Sequence, residues 1–324
     1  MSTILSGIQP SGELHIGNYL GAVKNWVQLQ DSYDCIYFIA DYHAIITPYE
    51  PDDLRRRTRE MAISLFAAGL DPKKSTLFVQ SMVPEHTELA WIFNTVTPLG
   101  ELERQTQFKD KAQRQESVSA GLLTYPVLQA ADILLYRADL VPVGEDQVQH
   151  LELAREVARK WNLRFAAELF PEPKPLLTAT RRIMGLDGQT KMSKSLGNTI
   201  GLLEEPDAVW AKLRPAMTDP ARVRRTDPGT PEICNIYHLH KAFNDQATVD
   251  HVAVQCRTAG WGCIDCKKVL FDGMMKELTP IRVRARELEA NPATVTDALA
   301  EGAAQSGKIA GETMHMVRET MGLR

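Results

Sequence analysis

Two distant segments carry residue types suited to handling phosphate. The first, Gly7-Ile8-Gln9-Pro10-Ser11-Gly12-Glu13-Leu14-His15-Ile16-Gly17-Asn18, is a glycine-rich turn between a short apolar strand and a helix start. Such a turn can bring backbone N–H groups within reach of a phosphate. It is not a P-loop, because Glu13 follows the second glycine where lysine is needed, and its carboxylate repels a nucleotide. The G-x-G-x-x-G of dinucleotide folds is also absent. What remains is a His15-Ile16-Gly17-Asn18 element in which Gly17, lacking a Cβ, lets a flat ring approach the helix backbone. The second segment, Lys191-Met192-Ser193-Lys194-Ser195, lies between Gly188 and Gly197. Two ammonium groups on a flexible loop can follow a pyrophosphate as it leaves. Either segment taken alone also reads as an ordinary surface loop.

A third group sits on a helix. Tyr125, Gln129 and Asp132 fall at i, i+4 and i+7 of an otherwise apolar stretch, so they share one face. A buried polar stripe is costly unless something bonds to it. Either a substrate N–H donor to Asp132 or internal pairing within the core would meet that demand.

The cysteines form a fourth group. Cys35 stands alone in an apolar run, while Cys234, Cys256, Cys263 and Cys266 make C-x21-C-x6-C-x2-C. Disulfides do not suit a reducing compartment. Zinc usually takes two short pairs, and here only the last two cysteines form one. Four thiolates with uneven spacing suit an iron–sulfur cluster equally well, while His238, His240 and His251 keep zinc open, and free buried thiols are the plain alternative.

The elements that must position these groups alternate in the first half. Thr3-Ile4-Leu5, Cys35 to Ala40 and Thr76 to Val79 read as buried strands. A helix is expected near His15 to Gln30. Another opens at Pro51, shows one face in Leu54, Thr58, Met61 and Leu65, and closes at Gly69. This βαβ alternation predicts an α/β fold, a Rossmann-like doubly wound parallel sheet with ligands at the strands' carboxyl ends. Pro171-Glu172-Pro173-Lys174-Pro175 is stiff punctuation, and the pattern beyond it turns mainly helical. The expected division is 1–187 as the catalytic domain, completed by about 295–324, and 188–294 as a helical domain carrying the cysteines.

Composition sets outer bounds. Of 324 residues, 44% are hydrophobic and 24% charged, and the net charge is -4, so no global basic field advertises nucleic acid. Any RNA contact must use local clusters: Arg55-Arg56-Arg57, Arg104 with Lys109, Lys111 and Arg114, Arg222 with Arg224 and Arg225, or Arg282 with Arg284 and Arg286. Solvated helix faces are the plain alternative. No apolar run is long enough for a membrane span, and the first residues lack the regions of a signal peptide. A cytoplasmic protein is expected.

The pair of phosphate segments resembles the hallmark motifs of class I aminoacyl-tRNA synthetases. With Asn18 at the last position of the first motif, and with Thr124 to Tyr136 and Val141 to Gln147, the chain looks like the tryptophanyl-tRNA synthetases over nearly its whole length. That resemblance implies activation of tryptophan by Mg-ATP and transfer to tRNA(Trp), by a homodimer. It places His15, Asn18, Lys191 and Lys194 in catalysis. ATP would meet Gln9, Pro10, Ser11, Gly17 and Asn18, then Gly144, Glu145 and Asp146 on its ribose and adenine side. Ile183 would lie near the adenine, and Met192, Ser193 and Ser195 complete the lysine loop. Tryptophan would meet Asp132, Tyr125, Gln129, Gln147, His43, Val141 and Val143. The helical domain would bind the anticodon, and a subset of the family carries a [4Fe–4S] cluster on a similar cysteine pattern. Gln129 departs from the methionine common in tryptophan enzymes. Tyrosyl-tRNA synthetases use a similar Tyr-x-x-x-Gln-x-x-Asp stripe, so tyrosine is the competing substrate. A catalytically silent RNA-binding or redox-sensing paralogue is the alternative outside catalysis.

Overall fold

The computed structural model describes residues 1–106, 108–109, 117–144, 148–177 and 183–324. Glu145, Asp146, Gln147, Lys111 and Arg114 lie outside the described residues. Five strands, β1 (Thr3–Ile8), β2 (Asp34–Ile39), β3 (Ser75–Val79), β4 (Leu140–Val143) and β5 (Lys174–Leu177), form one parallel sheet in the order β3-β2-β1-β4-β5. This is the expected Rossmann-like sheet, and the three strands read from sequence occupy its β3-β2-β1 half. Pro175, taken above as punctuation, instead belongs to β5. A proline, lacking an N–H, is tolerated there because β5 is an edge.

Alternation along β2 shows why both faces need cover. Cys35, Tyr37 and Ile39 enter one apolar cluster, while Ile36, Phe38 and Ala40 enter the other. The first cluster is roofed by α1 (Pro51–Ala67) and, farther along the chain, by α5 (Pro206–Leu213), α6 (Asn235–Phe243), α7 (Gln246–Arg257) and α8 (Cys263–Ala290). The second is roofed by α2 (Glu85–Asn94), α3 (Ala120–Leu135), α4 (Val148–Phe165) and the final α9 (Pro292–Met321).

Local sequence explains several boundaries. Helix α1 starts with Pro51 in its first turn, where its missing N–H costs nothing, and Asp52 and Asp53 face the positive end of the helix dipole. Gly69, at φ +117°, ends the turn that follows it. Met61 and Leu65 are buried as expected, whereas Leu54 and Thr58 are only half-buried. The helix expected from His15 to Gln30 is present but not uniform. Ile16–Asn18 and Lys24–Leu29 are α-helical and flank a π-turn at Tyr19–Val23. Helix α9 lies against β3, and a Cβ on Gly302 would overlap the Leu77 backbone carbonyl. That close approach requires glycine.

Candidate active site

The two phosphate-type segments, far apart in sequence, meet at the carboxyl end of β1. Gly12 has φ +121°, and a Cβ there would lie 3.2 Å from the Lys194 ammonium nitrogen. A Cβ on Gly17 would lie 2.9 Å from the His15 ring and 3.3 Å from Met192 Cβ. The flat ring that needs this glycine is therefore His15's own. Backbone bonds Ile16 N to Ile200 O (2.9 Å) and Leu202 N to Leu14 O (2.7 Å) tie the segments together. Pro10 and Met192 are buried, while Ser11, Lys191, Lys194 and Ser195 are exposed.

His15 caps the helical turn that follows it. Its Nδ1 accepts from the Asn18 N–H at 3.3 Å, and the Asn18 side-chain oxygen accepts from the His15 N–H at 3.3 Å. Burial, then the charges of Lys194 and Lys191, push the imidazole down to about 4. At neutral pH the ring is uncharged, with Nδ1 used and Nε2 left as the N–H donor. Asn18 thus has a local task that sequence alone did not show.

The lysine loop is stapled at its base. Buried Asn198 donates to Asp187 Oδ2 (2.8 Å) and Thr190 Oγ1 (2.9 Å), and accepts from the Ser193 N–H (2.8 Å). Gly185 N donates to Thr190 O (2.8 Å), Leu186 N to Asn198 O (2.9 Å), and Met192 N to Ile183 O (3.1 Å). Bonds from Thr190 and Asn198, followed by backbone N–H bonds, hold the Asp187 carboxyl far below the usual carboxylate range. Asn235, next to Cys234, donates to Gly185 O at 2.7 Å. Lys191 and Lys194 are therefore presented by an ordered hairpin rather than a free loop.

A cavity of about 350 Å³ opens at the carboxyl ends of the strands. Tyr125, Gln129 and Asp132 all line it, as the helical spacing predicts, together with Gln9, His43, Val141 and Val143. Asp132 is 1% exposed and carries three protein partners: His43 Nε2 at 2.7 Å, Gln80 Nε2 at 2.6 Å and His86 Nδ1 at 2.6 Å. Burial alone would raise its acid, but the two imidazoles and their hydrogen bonds outweigh this and lower it to about 2. A carboxylate offers about four acceptor sites, so one remains on Oδ2, the oxygen that also meets His43. Internal pairing and a place on the cavity wall therefore coexist on one residue. The sequence reading missed Gln80, His86, Tyr136 and His150, the last of which meets the Tyr125 hydroxyl at 3.1 Å. Gln80 was findable, since it directly follows β3 at the end where a ligand is expected. Tyr136, four residues past Asp132 on the same helical face, was findable too, whereas His86 and His150 come from helices whose facing is set only by packing.

All four clustered cysteines line one small cavity of about 20 Å³, with Asp219, Arg222 and Trp261. Among the described residues, no three His, Cys, Asp or Glu side chains stand in a metal-holding arrangement. Burial, then the neighbouring Cys234, Cys256 and Cys263, push the Cys266 thiol up to about 12. His240 Nε2 meets Cys266 Sγ at 3.4 Å, while His238 bonds Glu232 O at 2.9 Å and His251 packs on Trp261.

Several basic clusters have structural partners. Arg55, Arg56 and Arg57 pair with Asp52, Asp53 and Glu60 along α1. Arg282 donates to Glu204 O (3.1 Å) and Arg284 to Ala67 O (2.7 Å), while Arg286 pairs with Glu205. Arg222 bonds the carbonyls of Arg225 and Trp261.

A doubly wound parallel sheet with a His-Ile-Gly-Asn turn and a Lys-Met-Ser-Lys-Ser loop joined at its carboxyl end has the form of a class I aminoacyl-tRNA synthetase. The chain belongs to the family of class I tRNA synthetases for W and Y, whose model matches residues 1–279. It is 55% identical over 327 residues to a tryptophan–tRNA ligase of Deinococcus radiodurans, covering 99% of each chain. It is 45% identical over 327 residues to one of Thermotoga maritima, again covering 99% of each. A tryptophanyl-tRNA synthetase from Campylobacter jejuni, solved with ADP and tryptophan, superposes with a TM-score of 0.91 at 37% identity, covering 99% of this chain and 100% of that one.

Proposed function

We propose that this chain is a tryptophan–tRNA ligase, which joins L-tryptophan to ATP and then passes tryptophan to tRNA(Trp). The carrying observation is the cavity floored by Asp132 beside a His15, Lys191 and Lys194 cluster. The amino-acid carboxylate attacks the α-phosphorus of Mg-ATP. A P–O bond forms to give tryptophanyl-adenylate, the bond to the β-phosphate breaks, and pyrophosphate leaves. No protein nucleophile is needed; catalysis is alignment with electrostatic stabilisation. Neutral His15 supplies an Nε2–H donor to phosphate oxygen, and the two lysines offset the charge that develops on the leaving group. A tRNA hydroxyl then attacks the carboxyl carbon and AMP departs.

Gln9, Pro10, Ser11, Gly17 and Asn18, with Gly144, Ile183 and the lysine loop, are read as the ATP site. Glu145 and Asp146 are read as its ribose and adenine side. Tryptophan lies in the cavity with its indole N–H on Asp132 Oδ2, among Tyr125, Gln129, His43, Val141, Val143 and Gln147. Phenylalanine, lacking the N–H, leaves that carboxylate site unmet, so discrimination needs no editing domain. Residues 1–187 with about 295–324 form the catalytic domain, and 188–294 the anticodon-binding domain. The placement of α9 on β3 supports that closure. The working form is a cytoplasmic homodimer; Trp91 (71% exposed) and Leu99 (59%) are apolar side chains that a second copy would cover.

The four cysteines are read as holding a [4Fe–4S] cluster, with zinc as the competing ligand. The donor set suits either. The cavity has room for about one water-sized body, so the thiols must rotate outward to hold a cube. Bound there, the group would tie Cys234, which caps α6, to Cys256 of α7 and to Cys263 and Cys266 of α8, and no step of aminoacylation passes through it. Iron and acid-labile sulfide in a brown protein support the cluster, whereas a colourless zinc protein overturns it. For the enzyme reading, pyrophosphate exchange is measured with tryptophan and tyrosine in parallel. Exchange with neither refutes catalysis, and exchange with tyrosine alone reverses the substrate.

A further inference from the structure

A hydrogen-bond chain runs away from the cavity behind Asp132. Gln80 Nε2 and His86 Nδ1 both reach Asp132 Oδ1 at 2.6 Å, and His86 Nε2 meets the Tyr136 hydroxyl at 2.9 Å. His86 and Gln80 are 0% exposed and Tyr136 is 3% exposed, so bulk solvent does not reach this chain. The directions of the bonds follow from valence. An ionised carboxylate only accepts, so His86 Nδ1 must carry the proton it donates to Asp132. With the ring uncharged, its Nε2 is then an acceptor and Tyr136 donates to it. Burial, then the charges of Asp132 and Glu85, push the Tyr136 phenol far up, so it keeps its proton. If Tyr136 could not donate, the ring could move its proton to Nε2. A lone pair on Nδ1 would then face the carboxylate, which is repulsive.

The chain also sorts the two carboxylate oxygens. Oδ1 is taken up by Gln80 and His86, whereas Oδ2, among the described residues, holds only His43, itself a cavity residue. The open acceptor site therefore lies on the cavity side.

We propose that Tyr136 and His86 are positioning residues for amino-acid recognition: Tyr136 fixes the His86 tautomer, and His86 holds Asp132 so that Oδ2 meets the substrate N–H. This rests on the reading that Asp132 binds the indole N–H.

The test compares tryptophan with its sulfur isostere, benzothienylalanine, which has the same shape and no N–H. The quantity read is the ratio of kcat/KM for the two in pyrophosphate exchange. Asp132→Ala, with ATP binding retained, must lower this ratio; if it does not, the Asp132 reading fails and takes the proposal with it. Given that result, Tyr136→Phe lowers the ratio about tenfold, the size of one lost hydrogen bond to a charged group. The loss falls on the KM for tryptophan, with the KM for ATP unchanged. His86→Asn replaces the Nδ1 donor with an amide that has no tautomer to set, and it largely keeps the ratio. In the His86→Asn background, Tyr136→Phe then has no further effect. A ratio that stays within about twofold of wild type in Tyr136→Phe overturns the proposal. So does a Tyr136→Phe penalty that persists in the His86→Asn background, because that would mark a purely structural role.

Discussion

Replacing Asn198 with alanine should uncouple the lysine loop from the fold without changing any side chain read as facing a substrate. The side chain is 6% exposed and bonds four groups across the hairpin, the longest to Lys191 O at 3.4 Å. Counting only the two shorter neutral bonds, to Thr190 Oγ1 and from the Ser193 N–H, at roughly 1 kcal/mol each gives about 2 kcal/mol of lost order. That lowers the equilibrium for the presented loop about thirtyfold, since each 1.4 kcal/mol is tenfold. Single-turnover formation of tryptophanyl-adenylate should then fall by about five- to thirtyfold, depending on how completely the loop is ordered in the wild type. The KM for tryptophan should hold steady, because its cavity is not touched. Rapid-quench measurement with ATP in excess reads the rate, and hydrogen exchange across 185–198 reads the order. Thr190→Val is the companion variant: it removes the Asn198–Thr190 bond together with the Thr190 hydroxyl's bond to Asp187 Oδ2, so a loss of similar size is expected. A rate within about twofold of wild type, with exchange at 185–198 accelerated, would refute the idea that loop order limits activation.

Removing both Lys191 and Lys194 should slow activation by roughly a hundredfold or more while the KM for tryptophan changes little. Wild-type single-turnover activation in that double variant would end the phosphate role. The His15 ring titrates near 4 when folded, against 6.5 for an unperturbed imidazole. The unfolded chain therefore takes up this proton first, so stability is full above about pH 6.5 and falls toward pH 4. His15→Asn, which keeps a capping side chain, should flatten that part of the denaturation profile. Gly302→Ala must push α9 off the Leu77 carbonyl, costing about 1–3 kcal/mol, to be read as a lower denaturation midpoint in urea.

Much of this molecule was legible from local chemistry. The unbroken apolar run from Cys35 to Ala40 announced a strand covered on both faces, and the i, i+4, i+7 spacing put Tyr125, Gln129 and Asp132 on one wall. Periodicity of this kind is a local property, since it depends only on how many residues make one turn or one pleat. The motifs at Gly7 to Asn18 and Lys191 to Ser195 could likewise be picked out by residue type. Tertiary structure decided what those residues do to one another. It showed that Gly17 makes room for His15 and Met192, and that Asn198 rather than chain stiffness orders the lysine loop. It also gave Asp132 the partners Gln80 and His86, which lie on β3's exit and on α2. Those contacts join residues tens of positions apart. No spacing rule encodes them, because the closure of the sheet and the packing of its helices choose which buried polar groups meet.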